Sequence, residues 1–146
     1  MAPRSAKEAQ LSQVFVDSSV WVDYFRGIET LATVALDHLL GRNEAVIGDL
    51  VVMEVLQGYR NLREMREAEA ALGQLDCFDL GGNARMRMGA ANYRRLRSVG
   101  VTPRSTIDVL IASFCVAENI HLLADDRDFV LMAPHLGLLM HALRVN

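Results

Sequence analysis

The sequence predicts a single α/β domain, a three-layer α/β/α sandwich with a central, mostly parallel sheet. Three observations predict it. Short β-branched and aromatic runs recur along the chain, each followed by a segment with helix start and stop signals, the pattern of βαβ units. The chain has 146 residues, one domain's worth, and a domain of that size hides roughly two-thirds of its unfolded surface. Hydrophobic residues make up 51% and charged residues 23%, a globular balance rather than a disordered one.

The polar opening, 1–13 (MAPRSAKEAQLSQ), lacks the apolar stretch of a secretory signal and reads as a tail ahead of a domain spanning 14–146. Val14-Phe15-Val16 is apolar and β-branched, a buried strand. Ser18 or Ser19 opens a helix that Gly27 closes, and a second helix runs over about 29–40 with Gly41 after it. Ala45-Val46-Ile47 forms the next strand, and Gly48-Asp49 turns into a helix over 50–60. A charged helix follows around 63–75, and 77–80 makes a third strand. Asn83 caps a long arginine-bearing helix that Gly100 ends, and 105–118 is another helix. Residues 121–124 form a strand, and Leu138-Leu139-Met140 a last short one. No linker, repeat or low-complexity block interrupts the series.

Several function classes are excluded at this level. No apolar run approaches the ~20 residues of a membrane span. Cys77 and Cys115 sit among apolar neighbours with no metal or redox spacing, which fits a reduced, cytoplasmic protein. There is neither a Walker glycine loop nor a dinucleotide glycine fingerprint. His38, His121, His135 and His141 make no zinc helix or triad. An aspartyl phosphatase would need a second Asp where Ser19 stands, and Lys7, the only lysine, cannot serve a receiver domain.

The net charge is −3, yet it is unevenly spread. Between residues 81 and 107 stand Arg85, Arg87, Arg94, Arg95, Arg97 and Arg104 without one acid. Arginine's planar fork matches phosphate oxygens, so the stretch reads either as a solvated helix face or as a phosphate-binding one.

In an open α/β sheet, ligands collect beyond the carboxyl ends of the strands, and there the sequence places acids. Asp17 follows the first strand. Glu54 interrupts an apolar stretch (LVVMEVL), where a buried carboxylate needs a partner. Asp125, Asp126 and Asp128 follow the strand over 121–124, and Asp108 starts a strongly apolar helix. Each has an ordinary reading: Asp17 a helix cap, Ser105-x-x-Asp108 a capping box, Asp125 to Asp128 a charged turn. Taken together they would repel one another unless a cation sat between them. Oxygen ligands without a cysteine or histidine set select Mg²⁺ or Mn²⁺ over zinc. Such an ion activates water and stabilises charge on a phosphorane, which is phosphodiesterase chemistry on nucleic acid.

The string Val14-Phe15-Val16-Asp17-Ser18-Ser19-Val20-Trp21-Val22-Asp23-Tyr24-Phe25-Arg26-Gly27 resembles the opening of PIN-domain ribonucleases, and more closely the VapC toxins of VapBC toxin–antitoxin pairs. The likeness continues through Met53-Glu54-Val55-Leu56-Gln57-Gly58, Tyr93-Arg94-Arg95-Leu96-Arg97, Ser105-Thr106-Ile107-Asp108-Val109-Leu110-Ile111-Ala112 and Asp126-Arg127-Asp128-Phe129. It implies a PIN-like sandwich and a Mg²⁺- or Mn²⁺-dependent endoribonuclease with an acidic quartet at Asp17, Glu54, Asp108 and Asp126. Asp128 would support the metal. Ser19 falls on a small hydroxyl position beside the first Asp, suited to touching phosphate, and Arg85, Arg94, Arg95, Arg97 and Arg104 would hold RNA. The resemblance also implies a VapB-type antitoxin, a homodimer and a toxin–antitoxin hetero-oligomer. Apolar faces near 31–40 and 50–59 are candidates for those contacts. The alternative is a non-catalytic PIN-like domain that binds RNA or protein. Such a domain would be expected to lack a quartet acid, and all four are present.

Overall fold

The computed structural model describes residues 12–143, so the expected tail over 1–13 lies outside the described residues except for Ser12 and Gln13. The chain begins with β1 (Val14–Val16), α1 (Ser18–Phe25) and α2 (Leu31–Gly41). Next come β2 (Ala45–Gly48), α3 (Asp49–Gln57), α4 (Leu62–Leu72) and β3 (Cys77–Phe78). It continues through α5 (Asn83–Ser98), α6 (Thr106–Glu118), β4 (His121–Leu123) and α7 (Arg127–Leu136). The strands stand in the order β3-β2-β1-β4. Every pairing is parallel, with Val14 beside both Ala45 and His121, and Ile47 beside Cys77.

All residues of β1 and β2 are buried. Successive strand residues point to opposite faces, so burial of every one means that helices cover both faces of the sheet. Between sheet and helices, Phe114 of α6 packs tilted against Phe15 at 5.8 Å and Phe78 at 5.4 Å between ring centroids. Gly48, the last residue of β2, is set by space. A Cβ there would stand 2.7 Å from Leu80 Cδ1 and 2.9 Å from Phe15 Cζ.

Several elements differ from their expected bounds. α2 starts at Leu31, because Thr30 and Thr33 cap it reciprocally. It runs through Gly41, and Asn43, at a φ of 57°, makes the reversal expected of the glycine. Asn83 is inside α5; the capping position belongs to Gly82, whose φ of 105° suits glycine, and the Asn83 side chain accepts from Arg87 Nε at 3.1 Å. The third strand ends at Phe78, and the expected strand over 138–140 is reduced to one parallel bridge, Met140 beside Leu122. α7 has no counterpart in the expected series. Pro134 within Arg127–Leu136 hides it, but the proline lies in the final turn, which Gly137 closes in the left-handed conformation.

The chain leaves β1 for β2 and β3 on one side and returns to place β4 on the other. That reversal of direction opens a crevice beyond the carboxyl ends of β1 and β4, the place where open α/β sheets bind ligands.

Candidate active site

Asp17 is the residue after β1 and the N-cap of α1. Its backbone N–H donates to Leu123 O at 2.9 Å, joining the end of β1 to the end of β4. Its Oδ2 does the work of a cap, accepting from Ser19 N–H at 3.3 Å and from the Ser19 hydroxyl at 2.9 Å. Its Oδ1 is buried with no hydrogen-bond partner. The residue is only 4% exposed, and burial raises its carboxyl above the ordinary range. Donors from Ser19 and Ser18 pull it partly back, and the nearby charge of Asp126 adds to the rise. Asp17 is therefore both a cap and a carboxylate with a spare oxygen.

Glu54 projects from α3 with Oε1 buried and unpartnered. Its carboxyl is raised first by burial and then by Asp17, with the Ser18 hydroxyl offsetting part of the rise. Ser18 was not singled out from sequence; its place beside Asp17 in a Ser-Ser cap was the available signal.

Asp108 sits in the first turn of α6, where Ser105 Oγ accepts from its N–H at 3.4 Å. The return arm of a capping box is not formed, so its carboxyl is not consumed by the cap. It is pushed up to about 7, first by burial and then by Asp17, Asp126, Glu54 and Asp128. The other four carboxylates are all near enough for their charge to act on Asp108.

The far wall is the start of α7. Asp126 caps that helix, its Oδ1 accepting from Asp128 N–H at 2.9 Å. Asp125, next to it, donates its N–H to Ser19 Oγ at 3.5 Å, so Ser19 links Asp17 to the loop after β4. Asp128 Oδ2 accepts from Arg104 N–H at 3.2 Å and from Arg104 Nε at 3.3 Å. Arg104 Nη2 also stands 3.7 Å from Asp126 Oδ1.

The arginine stretch divides in three dimensions. Arg85 reaches Glu118 at 3.3 Å and lies 4.7 Å over the Phe114 ring, tied to its own fold. Arg104 is at the acids. Arg94, Arg95 and Arg97 are exposed along an open depression on α5 and make no ion pair among the described residues. The absence of local acids between 81 and 107 held only along the chain. Folding brings Glu118, Asp126 and Asp128 to two of these arginines.

The site fits a hard divalent cation. Asp17 Oδ1 and Glu54 Oε1 are buried oxygen acceptors without donors, and Asp108 stays partly protonated near neutrality because burial, and then the negative charge around it, disfavour its ionised form. A cation would relieve both conditions. Cys115, buried on α6, has its thiol pushed up by burial and by Asp17, so it offers no thiolate. Among the described residues no three His, Cys, Asp or Glu side chains stand together as a group that could hold a metal ion. Mg²⁺ keeps several waters and takes few carboxylates alongside substrate phosphates.

Comparison with known proteins agrees with the fold. The PIN domain family matches residues 14–133. A VapC ribonuclease of Mycobacterium bovis and ribonuclease VapC11 of Mycobacterium tuberculosis are each 30% identical over 122 residues, covering 82% of this chain and 91% of theirs. Among solved structures, VapBC2 from Rickettsia felis, bound to a DNA fragment from their promoter, aligns with a TM-score of 0.70 at 18% identity. DNA-bound VapBC from Salmonella typhimurium aligns with a TM-score of 0.67 at 13% identity. Each alignment covers 88% of this chain and 96% of the other, and supports the α/β sandwich.

Proposed function

We propose that this chain, which belongs to the PIN domain family, is a Mg²⁺- or Mn²⁺-dependent endoribonuclease and the toxin of a toxin–antitoxin pair. The observation that carries the reading is the carboxylate cluster around buried Asp17, with Asp17 Oδ1 and Glu54 Oε1 lacking partners and Asp108 raised to about 7. Asp17, Asp108 and Asp126 would hold the metal, with Glu54 and Asp128 as further ligands. A divalent ion there would neutralise the acids, engage phosphate oxygens and lower the pKa of water. The chain's own groups do the rest. Glu54, its carboxyl raised above the ordinary range by burial and by Asp17, accepts the proton that the attacking water releases. Ser19 fixes Asp17 and lies where a phosphate oxygen would enter. Arg94, Arg95 and Arg97, exposed on α5, hold the RNA backbone.

The relatives' ribonuclease names and the toxin–antitoxin complexes among the structural neighbours support the same function. On this reading the chain is cytoplasmic, forms a homodimer and binds a VapB-type antitoxin in a hetero-oligomer. Among the described residues no helix is long and apolar enough to cross a membrane. Leu31 on α2 and Met53 on α3 are about half-exposed, although Leu36, Leu39, Val51 and Val55 of the same helices are core. An open cleft of about 630 Å³, lined in part by Val22, Phe25, Val55 and Tyr59, adds apolar surface for a partner.

The test is cleavage of a mixed cellular RNA pool by the purified chain with Mg²⁺ or Mn²⁺, with EDTA, and by Asp17→Asn. Discrete cuts that vanish with EDTA and in the variant are expected. No cutting by folded, antitoxin-free, metal-replete protein would replace this reading with a non-catalytic RNA- or protein-binding domain.

A further inference from the structure

We infer that Arg104 is an exchangeable counter-charge of the acidic crevice, held on Asp126 and Asp128 without metal and transferred to substrate phosphate when metal takes those carboxylates. This rests on the metal-dependent nuclease reading above. Among the described residues, Arg104 is the one cation that ion-pairs with any of the five clustered carboxylates. It uses three groups: its backbone N–H and Nε on Asp128 Oδ2, and Nη2 beside Asp126 Oδ1. Its exposure is the reverse of theirs. The Arg104 side chain is 79% exposed, whereas those of Asp126 and Asp128 are 30% and 14% exposed.

Those differences set the direction of the exchange. A guanidinium so exposed loses little on leaving, because water solvates it and an exposed ion pair is weak. The carboxylates cannot follow it into solvent. A divalent ion offers two charges where arginine offers one, so metal and Arg104 compete for the same oxygens. Once displaced, the guanidinium stands at the rim of the crevice, where its fork matches a phosphodiester. The backbone N–H on Asp128 belongs to the main chain and survives any side-chain change. Removing the guanidinium therefore leaves the loop before α6 tethered to α7.

The experiment measures Mn²⁺ binding by electron paramagnetic resonance at fixed ionic strength, and RNA cleavage kinetics in parallel. Wild type is compared with Arg104→Ala, Arg104→Lys and, as a distant control, Arg63→Ala, whose partner Glu67 lies on α4. Arg104→Ala is expected to bind Mn²⁺ about two- to fivefold more tightly, the order of an exposed ion pair that metal no longer has to displace. Its KM for RNA should rise. Arg104→Lys should fall between alanine and wild type, and Arg63→Ala should match wild type. A merely structural Arg104 would weaken metal and RNA binding together, and an idle one would change neither. Either result overturns the exchange. Wild type that binds no Mn²⁺ and cuts no RNA would instead remove the nuclease reading, and this inference with it.

Discussion

Replacing Asp108 by asparagine removes one ionisable group from the most crowded point of the crevice while nearly preserving its shape. In the folded, metal-free chain this carboxyl titrates at about 7, against an ordinary 3.8. Between those values the folded chain holds a proton that the unfolded chain has released. Stability therefore falls as pH rises through the window, and the full penalty is present above 7. At about 1.36 kcal/mol per tenfold the gap sets a ceiling of roughly 4 kcal/mol. Because the side chain is only partly buried, solvent screening lowers the expected figure to about 1–2 kcal/mol. Urea unfolding in EDTA at pH 3 and pH 8 measures it. Asp108→Asn should be the more stable chain by that amount at pH 8 and nearly equal to wild type at pH 3, below the ordinary carboxyl value of 3.8. With added Mg²⁺ the advantage should shrink, since a ligand that binds the folded wild type stabilises it by mass action. An asparagine variant no more stable than wild type at pH 8, or a gap as large at pH 3, would refute the argument from burial and crowding.

Other outcomes can be stated as firmly. Asp17→Asn should abolish RNA cleavage yet keep its circular dichroism spectrum, because asparagine caps a helix as well as aspartate does. Gly48→Ala should cost about 1–3 kcal/mol by overpacking against Phe15 and Leu80, visible as a lowered melting temperature. Phe114→Ala should cost about 3–5 kcal/mol, with a corresponding fall in urea midpoint, since the ring fills the space between Phe15, Phe78 and Arg85. A triple alanine change at Arg94, Arg95 and Arg97 should flatten the salt dependence of RNA affinity by about 0.7 log per lost contact. An unchanged slope in a filter-binding titration would move the RNA path elsewhere.

Much of this molecule was legible before any coordinates. The β-branched runs at 14–16 and 45–47 could hardly be anything but central strands, because every residue in them is apolar and no face is left for water. Asp17 and Asp108 could be placed because each lies next to a strand end or helix start with a clear signal. What escaped was decided by tertiary context. α7 begins with a charged turn and contains a proline, and only its docking of Phe129 and Met132 into the core makes a helix of it. Arg85 and Arg104 looked unpaired because their partners lie 33 and 24 positions or so away along the chain. Glu54 was noticed for its apolar neighbours, but sequence could not reveal that one of its oxygens is left without a donor.

The pairing of β1 with β4 has a consequence for biosynthesis. Val14 must wait for His121 before β4 can join the sheet, so the most distant contacts are also the ones that build the crevice. A chain emerging from the ribosome has exposed Asp17 and Glu54 long before Asp126 exists. The cutting centre cannot be complete until most of the polypeptide has left the exit tunnel. Nascent chains arrested short of β4 should therefore be inert toward the RNA around them. For a protein born on an RNA machine, the order of its strands acts as a delay line.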